Sequence, residues 1–271
     1  MNKAIYQPKG KAAEYAEWAC NFYVGCSNGC TYCYLKKGRG AKILGGDKPT
    51  LKKCFKDDFH ALDVFEKELK ANLSDLQKNG LFFSFSTDPL LPETIDLTFD
   101  AVEMCLEYKV PVKILTKVVT DEFENYYLNF TKEDAIESKI AFGFTLTGHD
   151  ELERGASTNQ ERIEAMKKLH DAGFKTFASI EPIIDIKSSR RMVEETMDFC
   201  DLYKIGPESG KKYPINDLLE LWAAVNINLS CRSKAKVYWK DGFLKLLSIT
   251  REDALLMYPC TVDRDYNIFN Q

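Results

Sequence analysis

The chain lacks the features that define several large classes of protein. No apolar run reaches the roughly 20 residues that a membrane-spanning helix needs, and the N-terminus has lysines but no apolar core of a secretory signal. No internal repeat and no Ser- or Pro-rich linker interrupts the sequence. These absences predict a cytoplasmic protein without a membrane partner. We expect a single domain over residues 1–271, with a core at about 18–240 and a short C-terminal extension at 241–271.

Charge and cysteine content narrow the class further. The net charge of −4 argues against a globally basic nucleic-acid-binding protein, although it allows a local basic patch. The nine cysteines are an odd number, and three of them are clustered. In a reducing cytosol this pattern favours metal binding over disulfides. We therefore expect an ordinary globular domain that carries a metal site.

Three cysteines lie within eight residues, in the run Cys26-Ser-Asn-Gly-Cys30-Thr-Tyr-Cys33. No fourth cysteine is nearby, whereas a structural zinc site or a closed iron–sulfur site has four protein ligands. Three thiolates leave one metal position open for chemistry. Gly29 allows the loop to curl around a bulky cluster. The spacing therefore predicts an iron–sulfur cluster, and a zinc site completed by Cys20, Cys54 or His60 is the alternative.

The run CSNGCTYC resembles the CxxxCxxC loop of the radical S-adenosylmethionine (SAM) superfamily, in which an aromatic residue such as Tyr32 usually precedes the last cysteine. The wider run Asn21–Tyr34 is similar to the branch that contains spore photoproduct lyase and DNA repair photolyase-like proteins. The run Ser179-Ile-Glu-Pro182 is also similar to a phage-associated radical SAM-like family of unknown function.

This resemblance implies two cofactors, a [4Fe-4S] cluster bound by the three cysteines and SAM. It also implies a flavodoxin- or ferredoxin-like electron donor. The expected chemistry is reductive cleavage of SAM to a 5′-deoxyadenosyl radical, followed by a lyase-like or other radical reaction. The motifs do not identify the substrate, and we assign no catalytic residue beyond the cofactor sites.

Strand-like runs alternate with helical runs along the chain. The predicted strands are 20–24, 81–86, 111–116, 140–146, 174–180 and 202–205, and the predicted helices are 61–77, 92–108, 157–170, 188–200 and 215–229. This alternation predicts an α/β fold with parallel strands and right-handed crossovers. Six such units form a partial (β/α)6 TIM-like barrel, whose active site lies at the C-terminal ends of the strands.

Polar side chains follow every predicted strand, as expected if the strand ends share one active site. The resemblance places Ser86, Thr87 and Asp88 near the methionine amine of SAM. Charge and position make Lys117 a candidate for the carboxylate of SAM, and alternation along a strand suits Thr145 and Thr147 to its ribose. The predicted cofactor-binding residues are Tyr32, Ser86, Thr87, Asp88, Lys117, Thr145, Thr147, Glu181 and Glu208.

The segment from Lys36 to Lys56 is rich in basic residues, which only Asp47 opposes before Asp57. It is either a solvated loop or a site for phosphate or a nucleic-acid backbone. Two other function classes also stay open, a zinc-stabilised, non-enzymatic nucleic-acid-binding protein and a barrel hydrolase with Glu181 and Glu208 as paired carboxylates. The basic residues are Lys36, Lys37, Arg39, Lys42, Lys48, Lys52, Lys53 and Lys56.

Overall fold

The computed structural model describes residues 3–37 and 40–270. The strands are β1 Ile5–Tyr6, β2 Ala19–Cys20, β3 Tyr23–Val24, β4 Thr50–Leu51, β5 Leu81–Phe83, β6 Val112–Thr116, β7 Ile140–Thr145, β8 Lys175–Ile183, β9 Leu202–Pro207 and β10 Lys236–Trp239. The α-helices are α1 Ala41–Leu44, α2 Asp58–Ala71, α3 Leu73–Asn79, α4 Ile95–Glu107, α5 Asp121–Leu128, α6 Lys132–Ser138, α7 Asn159–Asp171, α8 Ile186–Thr196, α9 Ile215–Arg232, α10 Asp241–Leu247 and α11 Arg251–Met257.

One sheet of eight strands organises the molecule, in the order β1-β2-β5-β6-β7-β8-β9-β10. The strands from β2 to β10 in this sheet pair in parallel, and only β1 is antiparallel to its neighbour. Within the described residues no ladder joins β10 to β1, so the barrel is open. The predicted α/β fold with a partial, TIM-like parallel barrel is confirmed.

Two details of the sheet differ from the prediction. The run predicted as the first strand is divided, because its second half, β3, pairs with β4 in a separate two-stranded ribbon. Between the two halves, the side chain of Asn21 accepts a hydrogen bond from the backbone N–H of Phe85 at 2.8 Å. The other difference is β10, a further parallel strand that follows α9 and pairs with β9.

Alternation along the strands separates an outer and an inner face. On β6, Val112 and Ile114 belong to the large core between sheet and helices, whereas Leu115 packs on a smaller cluster inside the barrel. Phe82, Phe177 and Tyr238 are the largest members of that inner cluster. Residues on the inner face therefore point toward the barrel interior, and those nearest the C-terminal strand ends face the region where barrel enzymes have their active site.

Both chain ends cover parts of the open barrel. Near the N-terminus, the carbonyl of Glu14 accepts a 2.6 Å hydrogen bond from Nζ of Lys204 on β9. At the C-terminus, Val262 donates its N–H to the carbonyl of Val237 at 3.0 Å, and Ile268 is buried in the inner cluster. The C-terminal tail thus lies along β10, because Val262 pairs near the beginning of this strand and Arg264 forms an ion pair with Asp241 after its end. No helix in residues 3–37 and 40–270 has the length and apolarity to cross a membrane.

Candidate functional site

The loop that carries the three cysteines, residues 25–34 (the cysteine loop), follows β3 and contacts the segments after β5 and β7. It therefore lies at the C-terminal ends of the parallel strands, as predicted for the active site. Cys30 is buried, and Cys26 and Cys33 are half-buried. Burial raises the pKa of Cys26 to about 11, and the carboxylate of Asp88 adds to this shift. Buried thiols of this kind keep their protons until a metal cation displaces them.

Two glycines allow the path of the cysteine loop. Gly25 and Gly29 have φ values of +86° and +65°, in the left-handed region that side chains disfavour. A Cβ on Gly25 would lie 2.3 Å from the carbonyl oxygen of Lys48, so this position accepts no other residue without a shift of the backbone. The N–H of Cys26 donates to the carbonyl of Gly46 at 3.0 Å. The loop is therefore fixed on one side by the segment at 46–48.

The other side of the cysteine loop is held by residues 149–157 (the clamp loop), which follow β7. Its contacts are backbone hydrogen bonds from Thr31 to Leu152 and from Gly155 to Asn28, each 2.9 Å long. A Cβ on Gly155 would lie 2.2 Å from the carbonyl oxygen of Ser27. The two loops are thus paired backbone to backbone, so a change in one is transmitted to the other.

A buried ion pair anchors the clamp loop. Oε2 of Glu153 accepts a 2.6 Å hydrogen bond from Nη2 of Arg162, and both side chains are fully buried. The hydroxyl of Tyr32 donates to Oε1 of the same carboxylate, and burial together with that carboxylate raises the pKa of Tyr32. Thr147 also donates to Oε2, at 3.3 Å. The predicted residues Tyr32 and Thr147 therefore meet at Glu153, which the sequence did not indicate.

Asp88 ties the cysteine loop to the ends of β5 and β6. Its Oδ2 accepts hydrogen bonds from the side chain of Asn28 at 2.8 Å and the backbone N–H of Lys117 at 2.7 Å. Its Oδ1 accepts from Thr116 at 2.7 Å and from the backbone N–H of Leu90 at 3.1 Å. A carboxylate has about four lone-pair sites. A contact between Asp88 and the amine of SAM would therefore replace one of these bonds.

Two buried oxygen atoms near the cysteine loop have no hydrogen-bond partner within the described residues. They are Oδ1 of Asn28 and Oγ1 of Thr87. Unpartnered buried polar atoms are uncommon in folded proteins and indicate a missing ligand or water. The three thiols suit the iron atoms of an iron–sulfur cluster. The two oxygen atoms can accept hydrogen bonds from a polar molecule bound beside that cluster.

The described residues contain no group of three or more His, Cys, Asp or Glu side chains that converge on a single metal ion. A mononuclear zinc ion needs all its ligands within about 2.3 Å, whereas an iron–sulfur cluster binds each thiolate through a different iron. His60 instead accepts a hydrogen bond from the N–H of Lys56, and Cys20 lies buried in β2. The alternative of a zinc site is therefore not preformed in this part of the chain.

Lys117 and Thr145 also lie around this site. Nζ of Lys117 is 5.7 Å from the ring centroid of Tyr32. Burial acts to lower the pKa of Lys117, but Cys30 and Glu153 outweigh it and the pKa is raised. Thr145 is buried at the end of β7, and its carbonyl accepts from Nη1 of Arg162. Ser86 is buried and donates to the carbonyl of Tyr23 at 2.5 Å.

The two carboxylates of the hydrolase alternative have different partners. Glu181 is on β8 and accepts from the hydroxyl of Tyr15 at 2.8 Å and from Nζ of Lys240 at 3.1 Å. Glu208 pairs with Lys37 at 3.0 Å. Each carboxylate is thus engaged with its own cation rather than with the other as an acid–base pair.

Part of the basic segment is neutralised in the structure. Lys36 pairs with Asp47, and Nζ of Lys52 donates to the carbonyl of Asn21 at 3.1 Å. Arg39, which the sequence placed in this segment, lies outside the described residues. Four lysines are exposed and form no ion pair within the described residues, Lys42, Lys48, Lys53 and Lys56.

His149 joins the clamp loop to α8. Its Nε2 lies 2.5 Å from Asp185, the N-cap residue of α8, and its Nδ1 lies 2.7 Å from Glu151. Burial acts to lower the pKa of His149, but the two carboxylates outweigh it and the pKa is raised. The pKa of Asp185 falls to about 2, because hydrogen bonds from Ser188 and His149 outweigh burial.

We expect the loss of stability in the His149→Gln variant to be largest at acidic pH and to disappear at alkaline pH. A raised histidine pKa stabilises the fold fully below its unfolded value of about 6.5, and this stabilisation is lost as the pH rises through the folded pKa. The lowered pKa of Asp185 stabilises the fold at pH values above its unfolded pKa of about 3.9. The ion pair of His149 and Asp185 therefore stabilises the fold mainly between about pH 3.9 and the folded pKa of His149. Urea unfolding at pH 5.5 should show a loss of about 0.5–1 kcal/mol, which disappears at pH 9. An equal loss at both values would contradict this assignment.

The sequence and the fold were compared with families, curated proteins and solved structures. The sequence model of the Radical SAM superfamily matches residues 20–200, which is more than half of the chain. An uncharacterised protein of Methanocaldococcus jannaschii is 27% identical over 201 residues, which cover 69% of each chain. The crystal structure of SuiB from Streptococcus suis bound to S-adenosylmethionine superposes with a TM-score of 0.52 at 16% identity and covers 82% of this chain. The matched region covers 49% of the SuiB chain, so this chain spans about half the length of SuiB.

Proposed function

The chain belongs to the radical SAM superfamily, whose enzymes use a [4Fe-4S] cluster and SAM, and we propose that Cys26, Cys30 and Cys33 hold the cluster in this chain. One observation carries this assignment. The three cysteines occupy a loop at the C-terminal ends of the parallel strands, inside the matched range of 20–200. The open coordination position that three ligands leave is where SAM would bind.

When bound, the cluster and SAM together supply a one-electron cleavage of a carbon–sulfur bond. The residues of the chain position these groups and exclude water. Glu153 and Asp88 fix the two sides of the cysteine loop through hydrogen bonds to Tyr32 and Asn28. Thr87 has a free buried hydroxyl oxygen for a donor such as the SAM amine, and we propose Lys117 as the partner of the SAM carboxylate. A flavodoxin- or ferredoxin-like protein would deliver the electron.

Anaerobic reconstitution with iron and sulfide tests this function. The loaded protein should be brown and hold iron and sulfide in equal amounts. With a chemical reductant and SAM it should release 5′-deoxyadenosine and methionine, measured by liquid chromatography. A colourless protein that binds zinc and releases no 5′-deoxyadenosine would overturn the proposal.

A nucleic acid is the substrate class that the basic segment favours. Lys42, Lys48, Lys53 and Lys56 are exposed without an ion pair in the described part of the chain. The exposed aromatic ring of Phe59 belongs to the same region of the sequence. Lysines bind the phosphates of a nucleic-acid backbone, and exposed aromatic rings stack on bases. We therefore propose that the lysines of this segment bind the backbone of a polynucleotide.

Replacing these four lysines with serine should weaken the binding of DNA or RNA and reduce its salt dependence. Each lost phosphate contact lowers the slope of log K against log salt by about 0.9, so the slope should fall by about 3 to 4 units. Fluorescence anisotropy over a range of salt concentrations measures it. The control replaces four exposed lysines elsewhere in the chain, Lys67, Lys78, Lys187 and Lys234. If both variants bind like the wild type, the segment is a solvated loop.

A further inference from the structure

Lysines lie in mid-strand positions on the inner face of the barrel. On β6, Val112 and Ile114 are in the outer core, so Lys113 between them faces inward. On β9, Tyr203 and Ile205 are in the outer core, so Lys204 also faces inward, and it is only 7% exposed. A charged ammonium inside a barrel is unfavourable unless a negative charge accompanies it.

The carboxylates of the barrel interior are already used by a third lysine. Nζ of Lys240 lies 3.2 Å from Oε2 of Glu14 and 3.1 Å from Oε2 of Glu181. Nζ of Lys204 instead donates to two carbonyl oxygens, those of Glu14 at 2.6 Å and Tyr15 at 3.3 Å. Among the described residues, neither Lys113 nor Lys204 forms an ion pair. Three lysine side chains therefore face two carboxylates, so the basic groups of the described barrel interior outnumber its acidic groups.

The electrostatic cost of this arrangement appears at both lysines. Burial lowers the pKa of Lys113 to about 8. Burial, followed by the charges of Lys113 and Lys240, lowers the pKa of Lys204 well below its usual range. SAM is itself a net cation and adds to the excess. A bound anion would stabilise the protonated forms of these lysines.

The neighbours of Lys113 do not enclose it fully. Its register partners are Ala141 on β7, whose side chain is a single methyl group, and Phe82 on β5. Lys113 is half-buried although it lies within a strand that is paired on both sides. Solvent therefore reaches part of its side chain. The neighbouring inward residue, Leu115, is also half-buried, and Lys117 follows at the end of the strand.

We propose that the barrel interior binds an anionic group of the substrate, a carboxylate or a phosphate, between Lys113 and Lys204. Lys113 and Lys117 are four residues apart on one strand, which is about 13 Å at 3.3 Å per residue. A molecule held at Lys113 would extend over this distance to the cysteine loop. The site therefore selects an elongated molecule, or a segment of one, that has an anionic end. The inference rests on the proposed function only in naming this ligand a substrate.

The first test is the reactivity of Lys113 in the cluster-loaded protein. Reductive methylation with formaldehyde and cyanoborohydride modifies uncharged amines, and mass spectrometry locates the modified lysines. Inorganic phosphate or acetate should reduce the methylation of Lys113 severalfold and saturably, whereas chloride at equal ionic strength should not. Exposed Lys78 should be unaffected. The two anions separate a phosphate site from a carboxylate site. Reactivity that no anion changes, including a complete lack of reaction, would overturn the proposal.

The second test compares Lys113→Met with Lys78→Met, which removes the same charge from an exposed position. The anion that protects Lys113 should raise the melting temperature saturably in the wild type and in the Lys78 variant, but not in the Lys113 variant. An equal rise in all three proteins would contradict the assignment. Neither test needs SAM or the one-electron reductant that SAM cleavage requires. Loss of anion binding with intact SAM cleavage would therefore refute this site alone, and the reverse result would refute the radical chemistry alone.

Discussion

Alanine at Cys26, Cys30 or Cys33 is expected to abolish both iron binding and SAM cleavage. Each thiolate in the proposed site binds one iron of the cluster. The cysteine loop contains no further cysteine that could replace a lost ligand. Changing outer-shell partners of a metal site costs roughly 10- to 100-fold in affinity or activity. Removing a ligand itself should exceed this, to the limit of detection. Iron and sulfide analysis after anaerobic reconstitution, and 5′-deoxyadenosine release, measure the two losses.

The controls are cysteines away from the loop. Cys105 is fully buried in α4, and Cys231 is exposed near the end of α9. Alanine at either position should leave the iron content and SAM cleavage at wild-type levels, although Cys105→Ala should lower stability because it removes a buried side chain. If the Cys30→Ala protein keeps a full cluster, the three cysteines are not its ligands.

The local sequence determined the parts of the fold that depend on short-range patterns. Strands such as β6 and β7 were predictable because four or more apolar or alternating residues are bounded by turns and helices. The strand β10, Lys236–Trp239, was missed because its four residues carry no local sign of their parallel pairing with β9. The division between β2 and β3 was missed for another reason. It depends on the hydrogen bond between Asn21 and Phe85, which are 64 residues apart.

The same distinction applies to the site. The cysteine spacing is a local signal, so the loop was found in the sequence. Its supports are long-range contacts, such as Tyr32 with Glu153 over 121 residues and Asn28 with Asp88 over 60 residues. Arg162 lies within the predicted helix 157–170, and only the fold shows that it is fully buried. One local signal was available for the clamp loop, a Glu-Arg-Gly run at 153–155 shortly after a strand end.

Neutralising Glu153 should therefore destabilise the protein and loosen the cluster site together. Glu153→Gln leaves the Arg162 guanidinium buried without its counter-charge, and breaking a buried pair in this way costs about 3–5 kcal/mol. This loss corresponds to a fall of roughly 10 °C in the melting temperature. Glu153 also accepts the hydroxyl hydrogen bond of Tyr32. We therefore expect iron to be lost from the loaded protein faster than from the wild type at temperatures where both remain folded.

Two further variants separate charge from position. Glu151→Gln removes a carboxylate from the same loop, but Glu151 is 68% exposed and contacts only His149, so both measurements should stay close to wild type at pH 8. The double variant Glu153→Gln/Arg162→Met removes the unpaired charge and should recover part of the lost stability, because a buried pair can be replaced by apolar contacts at little cost. The double variant should still lose iron faster than the wild type, because the hydroxyl of Tyr32 then faces the amide of the new glutamine instead of a carboxylate. If the Glu153→Gln variant has the melting temperature of the wild type and loses iron at the same rate, the clamp loop does not support the cysteine loop.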